Sequence, residues 1–189
     1  AYDKVITLSP NHAQAFNNRG NLNRRHRRFA AARDDFLRSC ELKSDYALPR
    51  NNLGLTLQEL GSYLEAIHCY TEALSLQGDL TEAYVNRAAC YRLLGEFESA
   101  ISDYRHAANL DPLGHFCLGD KLHTESILCQ WNEVAPNRST IKGAVCVGQP
   151  VSAPFPILGF DDNPELQRTC AQLWVSLCLR RTAVVDFKE

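Results

Sequence analysis

Across residues 1 to 114 apolar side chains return at steps of three and four, the spacing of a stripe along one helix face. Phe29, Ala32, Phe36 and Ser39 mark one stripe, Ala66, Ile67, Tyr70, Ala73 and Leu74 a second, and Phe97, Ala100, Ile101, Tyr104, Ala107 and Leu110 a third. A shorter stripe precedes each: Phe16, Gly20 and Leu22; Leu53, Leu57 and Leu60; Tyr84, Ala88, Tyr91 and Leu94. The pattern predicts helices in pairs. Gly61 and Gly95 stand between the members of the second and third pairs, where freedom to take positive φ ends a helix cleanly, while the first pair has Arg27 there. Pro112, and Pro10 near the start, fall past a second helix, which a proline cannot continue; Ser44 and Gly78 occupy the equivalent places. Pro49 sits close enough to a helix start to be tolerated in the first turn.

The pairs repeat with a period of thirty-four residues and no gap, over 13–46, 47–80 and 81–114. The eighth position reads Gly20, Gly54, Ala88; the twentieth Ala32, Ala66, Ala100; the twenty-fourth Phe36, Tyr70, Tyr104; the twenty-seventh Ser39, Ala73, Ala107. Small residues facing aromatics let two helices approach closely while a ring fills the space between units. A period near 34 with this layout resembles the tetratricopeptide repeat. The resemblance implies an all-α superhelix, an α-solenoid whose core lies between neighbouring repeats. Tyr2, Val5, Leu8 and Pro10 match the columns of Tyr104, Ala107, Leu110 and Pro112, so residues 1–12 read as the end of a preceding repeat. With no methionine anywhere, the chain reads as a fragment.

One polar column stands out. The sixth position reads Asn18, Asn52, Asn86 and the fifth Asn17, Asn51, Val85. In tetratricopeptide proteins these positions line the inner, concave surface, and an amide offers both a donor and an acceptor to the backbone of an extended peptide. The alternative is hydrogen bonding between neighbouring helices. Arg24, Arg25 and Arg92 are candidates for the same groove. They do not reproduce the carboxylate clamp of the chaperone-tail binders, because Asn17 and Asn86 occupy the places of its first lysine and its arginine. The expected groove set is therefore Asn17, Asn18, Asn51, Asn52, Asn86, Arg24 and Arg92.

After Gly114 the columns fail. Residues 115–135 read as a capping helix, with Leu118, Leu122, Ile127, Leu128 and Trp131 available to cover the end of the third repeat. Residues 136–162 read as a loop or linker because of Pro136, Gly143, Gly148 and Pro150. Asn163, Pro164 and Glu165 form a helix start, and Leu166, Cys170, Leu173, Trp174 and Leu177 continue it over 163–180, leaving 181–189 unassigned.

Charge and composition narrow the partners. Formal net charge is −2, with 13 basic and 14 acidic residues up to Gly114 and 7 against 8 beyond, so nothing favours nucleic acid. Only the first repeat is basic, through Arg24, Arg25, His26, Arg27 and Arg28, read as a solvated helix end or a local anionic contact. The eight cysteines form no C-x-x-C pair and read as reduced thiols, which favours a cytoplasmic location. Cys117, His123 and Cys129 match no common zinc spacing, so no metal site is expected. No apolar run is long enough to span a membrane. Scattered histidines without a nucleophile give no catalytic residue, and the Asp161-Asp162 pair reads as helix capping.

A narrower likeness joins these pieces. Leu122-His123, then Cys129-Gln130-Trp131, then the run from Pro154 to Gln167 resemble the segment linking repeats to catalytic lobes in bacterial Spindly-type proteins, which are similar to O-linked N-acetylglucosamine transferases. That resemblance implies a superhelix presenting protein substrate to a UDP-sugar glycosyltransferase whose lobes lie beyond this chain. No glycine-rich turn for a diphosphate follows Val175, so no cofactor is expected in this fragment. The other reading is a free-standing adaptor for extended peptides.

Overall fold

The computed structural model describes residues 2–112, 117–129, 134–149, 152, 154–158 and 161–183. Among the described residues the regular elements are all helices: α1 (Tyr2–Leu8), α2 (Ala13–Arg25), α3 (Phe29–Leu42), α4 (Ala47–Glu59), α5 (Tyr63–Leu76), α6 (Thr81–Leu93), α7 (Phe97–Leu110), α8 (Cys117–Ile127), α9 (Val134–Cys146), α10 (Pro154–Leu158) and α11 (Pro164–Ala183). They divide into two compact units, Ala1–Glu96 and Phe97–Glu189.

In the first unit each helix packs on the next from α1 to α6, and α2, α4 and α6 also touch one another in turn. The small-against-aromatic columns are its core. Phe36 and Tyr70 are fully buried, as are Ala32 and Ala66, and the two rings lie against the backbones of Gly20 and Gly54. The Tyr70 hydroxyl donates to Gln58 Oε1 at 2.9 Å, which fixes the ring along α4. Ser39 departs from its alanine column for a reason: its Oγ donates to the Ala13 carbonyl at 2.8 Å. Arg19 ties three helices together, bonding Asp35 on α3 through Nε and Nη2 and Asp3 on α1 through Nη1 at 2.8 Å.

The turns inside the pairs share one geometry. Arg27, Gly61 and Gly95 take φ of 58°, 81° and 82°. The next residue then donates back to the last turn of the helix, Arg28 to Asn23, Ser62 to Leu57 and Glu96 to Tyr91, each at 2.9 Å. These left-handed caps satisfy carbonyls that the helix ends would otherwise leave unpaired.

In the second unit α8 packs on α7, and Leu118, Leu122, Ile141, Ala144, Val145, Ile157, Leu166 and Cys170 form a core from α8 to α11. Here the structure corrects the expectations. The helix expected over 115–135 ends at Ile127, and the loop expected over 136–162 holds α9 and α10. Pro136 is the third residue of α9, within the first turn, where no intrahelical N–H is needed, so it starts the helix instead of breaking it. Gly148, with φ of 82°, then closes α9 by the same cap that ends the repeat helices. Ile141, Ala144 and Val145 carry the three-and-four spacing, and each is buried. The start of α11 is as expected: Asn163 Oδ1 accepts from Glu165 N at 2.9 Å and Leu166 N at 3.3 Å. Trp131, the side chain of Leu177 and residues 184–189 lie outside the described residues.

Candidate functional site

The asparagine column sits on the row made by α2, α4 and α6. Its two positions have different fates. Asn17 and Asn51 are 5% and 1% exposed, so they do not line an open surface as the sequence suggested. They are turned toward the next repeat, where Asn17 Oδ1 accepts from Asn52 Nδ2 at 2.9 Å and Asn51 Oδ1 from Asn86 Nδ2 at 3.4 Å. Asn18, Asn52 and Asn86 are half-buried. Among the described residues the Oδ1 atoms of Asn52 and Asn86 have no hydrogen-bond partner, which leaves each an acceptor and one N–H for another molecule.

Both arginines expected at the groove are half-buried. Arg24 Nη1 pairs with Glu59 Oε1 at 2.9 Å, linking α2 to α4, and the buried Nε atoms of Arg24 and Arg92 have no partner among the described residues. Whole-turn spacing adds apolar neighbours that the sequence reading missed. Leu48 and Leu55 lie four before and three after Asn52, and Ala89 and Leu93 lie three and seven after Asn86, so they share those helix faces. Leu48 is 40% exposed and Leu93 53% exposed. The signal was in the sequence, since both rows follow the helical period set by the asparagines.

A second feature comes from a lost ion pair. The seventh and twenty-third positions read Arg19 and Asp35 in the first repeat, Arg87 and Asp103 in the third, but Leu53 and Cys69 in the second. Leu53 and Cys69, with Leu37, Leu57 and Leu64, line an open groove of about 460 Å³ among α3, α4 and α5. Burial pushes the Cys69 thiol up to about 11, so it is a protonated apolar wall and not a nucleophile.

Among the described residues no group of three His, Cys, Asp or Glu side chains is placed to hold a metal ion, and the Cys117 side chain lies outside them. The cysteines described are free thiols, with Cys90 and Cys170 also pushed up to about 11 by burial. No described helix is long and apolar enough to cross a membrane.

Tetratricopeptide repeat models match residues 1–47 and 45–112, more than half of the chain together, and the chain belongs to the tetratricopeptide repeat family. The rat mitochondrial import receptor subunit TOM70 is 38% identical over 80 residues, covering 39% of this chain and 13% of the receptor. The photosystem I assembly protein Ycf3 of Synechococcus sp. (strain CC9902) is 41% identical over 68 residues, 34% of this chain and 39% of that protein. The chain therefore spans well under half the length of these curated relatives. Among solved structures, MamA superposes with a TM-score of 0.67 at 19% identity, over 72% of this chain and 80% of that one. The first tetratricopeptide domain of Spaghetti (RPAP3), bound to the HSP90 peptide SRMEEVD, gives 0.61 at 20% identity, over 62% of this chain and 93% of that one. At such identities the likeness is one of fold.

Proposed function

We propose that this chain is a protein-interaction scaffold that holds an extended segment of a partner protein along α2, α4 and α6. The observation that carries this reading is the pair of oriented amides. Asn52 and Asn86 are anchored by Asn17 and Asn51, and each offers an unused carbonyl and N–H at intervals of one repeat. A strand-like peptide has donors and acceptors along its whole length and can use such rungs whatever its sequence. Asn18, Arg24 and Arg92 extend the polar row, and Leu48, Leu55, Ala89 and Leu93 give alternate side chains an apolar strip. A peptide-bound relative of the same fold supports the reading.

The test is to select binders from a displayed random-peptide library on the full chain. The best is then titrated against wild type and an Asn18→Ala, Asn52→Ala, Asn86→Ala variant, with circular dichroism as the folding check. Each neutral hydrogen bond contributes about 0.5 to 1.5 kcal/mol net, so the triple variant should lose roughly 1.5 to 4.5 kcal/mol if losses add. A folded triple variant binding within about twofold of wild type, less than the roughly 0.5 kcal/mol of one such bond, would defeat the reading.

A second, finer reading is that the scaffold presents substrate to an O-linked N-acetylglucosamine transferase-like enzyme in the cytoplasm. Its support is the ordered likeness from Leu122 to Gln167, part of which forms a bonded unit. Asp161 accepts from Asn163 N, and Gln167 Nε2 donates to the Asp161 carbonyl at 2.7 Å. UDP-sugar would be bound only by lobes beyond Glu189. Reading the parent gene past that codon decides between alternating strands and helices, which support this reading, and an early stop, which leaves the adaptor.

A further inference from the structure

We propose that the turn joining α2 to α3 is a separate docking point for an acidic polypeptide segment. Arg25, His26, Arg27 and Arg28 are consecutive and exposed. Among the described residues no carboxylate pairs with Arg25, Arg27 or Arg28. Asp35 holds Arg19, Asp34 faces Arg33, and Glu59 holds Arg24. A cation at a helix C-terminus is favoured by the helix dipole, which accounts for Arg25. It does not account for Arg27 and Arg28, which lie past the helix.

Arg27 is the telling residue. It holds φ of 58° where the sister turns place Gly61 and Gly95 in the same cap. A side chain in that region is strained, and the fold returns nothing for it, since Arg27 contacts no anion within the described residues. The side chain therefore serves an anion brought by another molecule. The patch is compact, about one turn of chain, and the 13 basic residues up to Gly114 face 14 acidic ones. Tight binding to duplex DNA takes about six or more phosphate contacts, and recognition of an anionic membrane about four or more clustered cations, more than Arg25, Arg27 and Arg28 supply, whereas a short run of Asp and Glu matches three cations. The proposal does not depend on the asparagine face, because it uses none of Asn18, Asn52 and Asn86.

The test uses the full chain and a fluorescent ten-residue glutamate-rich peptide, with the equivalent glutamine peptide, a twenty-base-pair DNA duplex and phosphatidylserine vesicles as comparisons. The glutamate probe should bind at low salt, weaken as salt rises, and bind about tenfold less tightly to a folded Arg25→Ser, Arg27→Gly, Arg28→Ser variant. Arg27→Gly alone should weaken the probe about twofold to threefold and at the same time raise the denaturation midpoint, because it removes the strain. An unchanged affinity in the triple variant, or a lowered midpoint in Arg27→Gly, overturns the proposal. So does DNA or vesicle binding as tight as the glutamate probe with the same dependence on these arginines.

Discussion

Gly54→Ala and Gly143→Ala are the same chemical change in two helices and should have opposite signs. In a helix interior alanine is favoured over glycine by about 1 kcal/mol. At Gly143, inside α9, a new Cβ meets nothing within 4 Å, so that gain stands alone. At Gly54 the Cβ would lie 2.6 Å from Tyr70 Cε1 and 2.9 Å from both Cδ1 and Cζ. The ring cannot give way easily, being fully buried and held by its hydroxyl to Gln58. Overpacking of that kind costs roughly 2 to 3 kcal/mol, so the net loss should be about 1 to 2 kcal/mol once the helix gain is subtracted. With a slope near 2 kcal/mol per molar urea, the midpoint should fall by about 0.5 to 1 M for Gly54→Ala and rise by about 0.5 M for Gly143→Ala. Circular dichroism during urea unfolding measures both. On a Tyr70→Leu background, where the ring is gone, Gly54→Ala should turn neutral or stabilising. Equal midpoints for the two alanine variants would show that the ring does not press on α4 and would sink the packing argument.

The lost ion pair can be restored: Leu53→Arg or Cys69→Asp alone should cost about 3 kcal/mol or more as an unpaired charge, and the two together should recover at least half, read by urea midpoint. Mass mapping of timed iodoacetamide labelling should find Cys129 and Cys146, which are exposed, modified first, and buried Cys69, Cys90 and Cys170 only on unfolding. The Asn163 N–H and Arg138 hold the Asp161 carboxyl below its usual range, so its contribution is complete above the unfolded value of about 3.9 and is lost as pH falls through the lower folded value. The stability gap between wild type and Asp161→Asn should therefore be constant near neutrality and shrink below about pH 4; a gap unchanged at pH 2.5 would refute the pairing.

The repeat half of the chain was legible because each unit repeats its own instructions. Gly54 and Tyr70 could be paired from the columns alone, and Gly61 announced a left-handed cap. Arg27 could not be read that way, since arginine carries no signal for positive φ; only its alignment with Gly61 and Gly95 gave it. Beyond Gly114 there is no second copy to compare, and punctuation misled. Pro136 and Gly143 look like breakers, yet one falls in a first turn and the other on an exposed face of α9. Ile141, Ala144 and Val145 held the correct signal, too short to outweigh them.

The asparagine column was legible as chemistry but not as orientation. Adjacent helix positions point about 100° apart, so Asn51 and Asn52 cannot both face a ligand. The bonds Asn52 to Asn17 and Asn86 to Asn51 each span one period plus one residue, which makes the inner asparagine of one repeat the anchor for the outer asparagine of the next. The series stops at Val85, which has no acceptor to hold a further amide. Asn17 is too buried to touch a peptide, yet it fixes the one that Asn52 presents. Asn17→Ala should therefore weaken a selected peptide about twofold to fivefold, within the range of one hydrogen bond, and Asn17→Ala with Asn52→Ala should be no worse than Asn52→Ala alone. Isothermal titration with folded variants measures both. Wild-type affinity in folded Asn17→Ala would mean that Asn52 needs no anchor, and losses that simply add would mean that the two asparagines act separately.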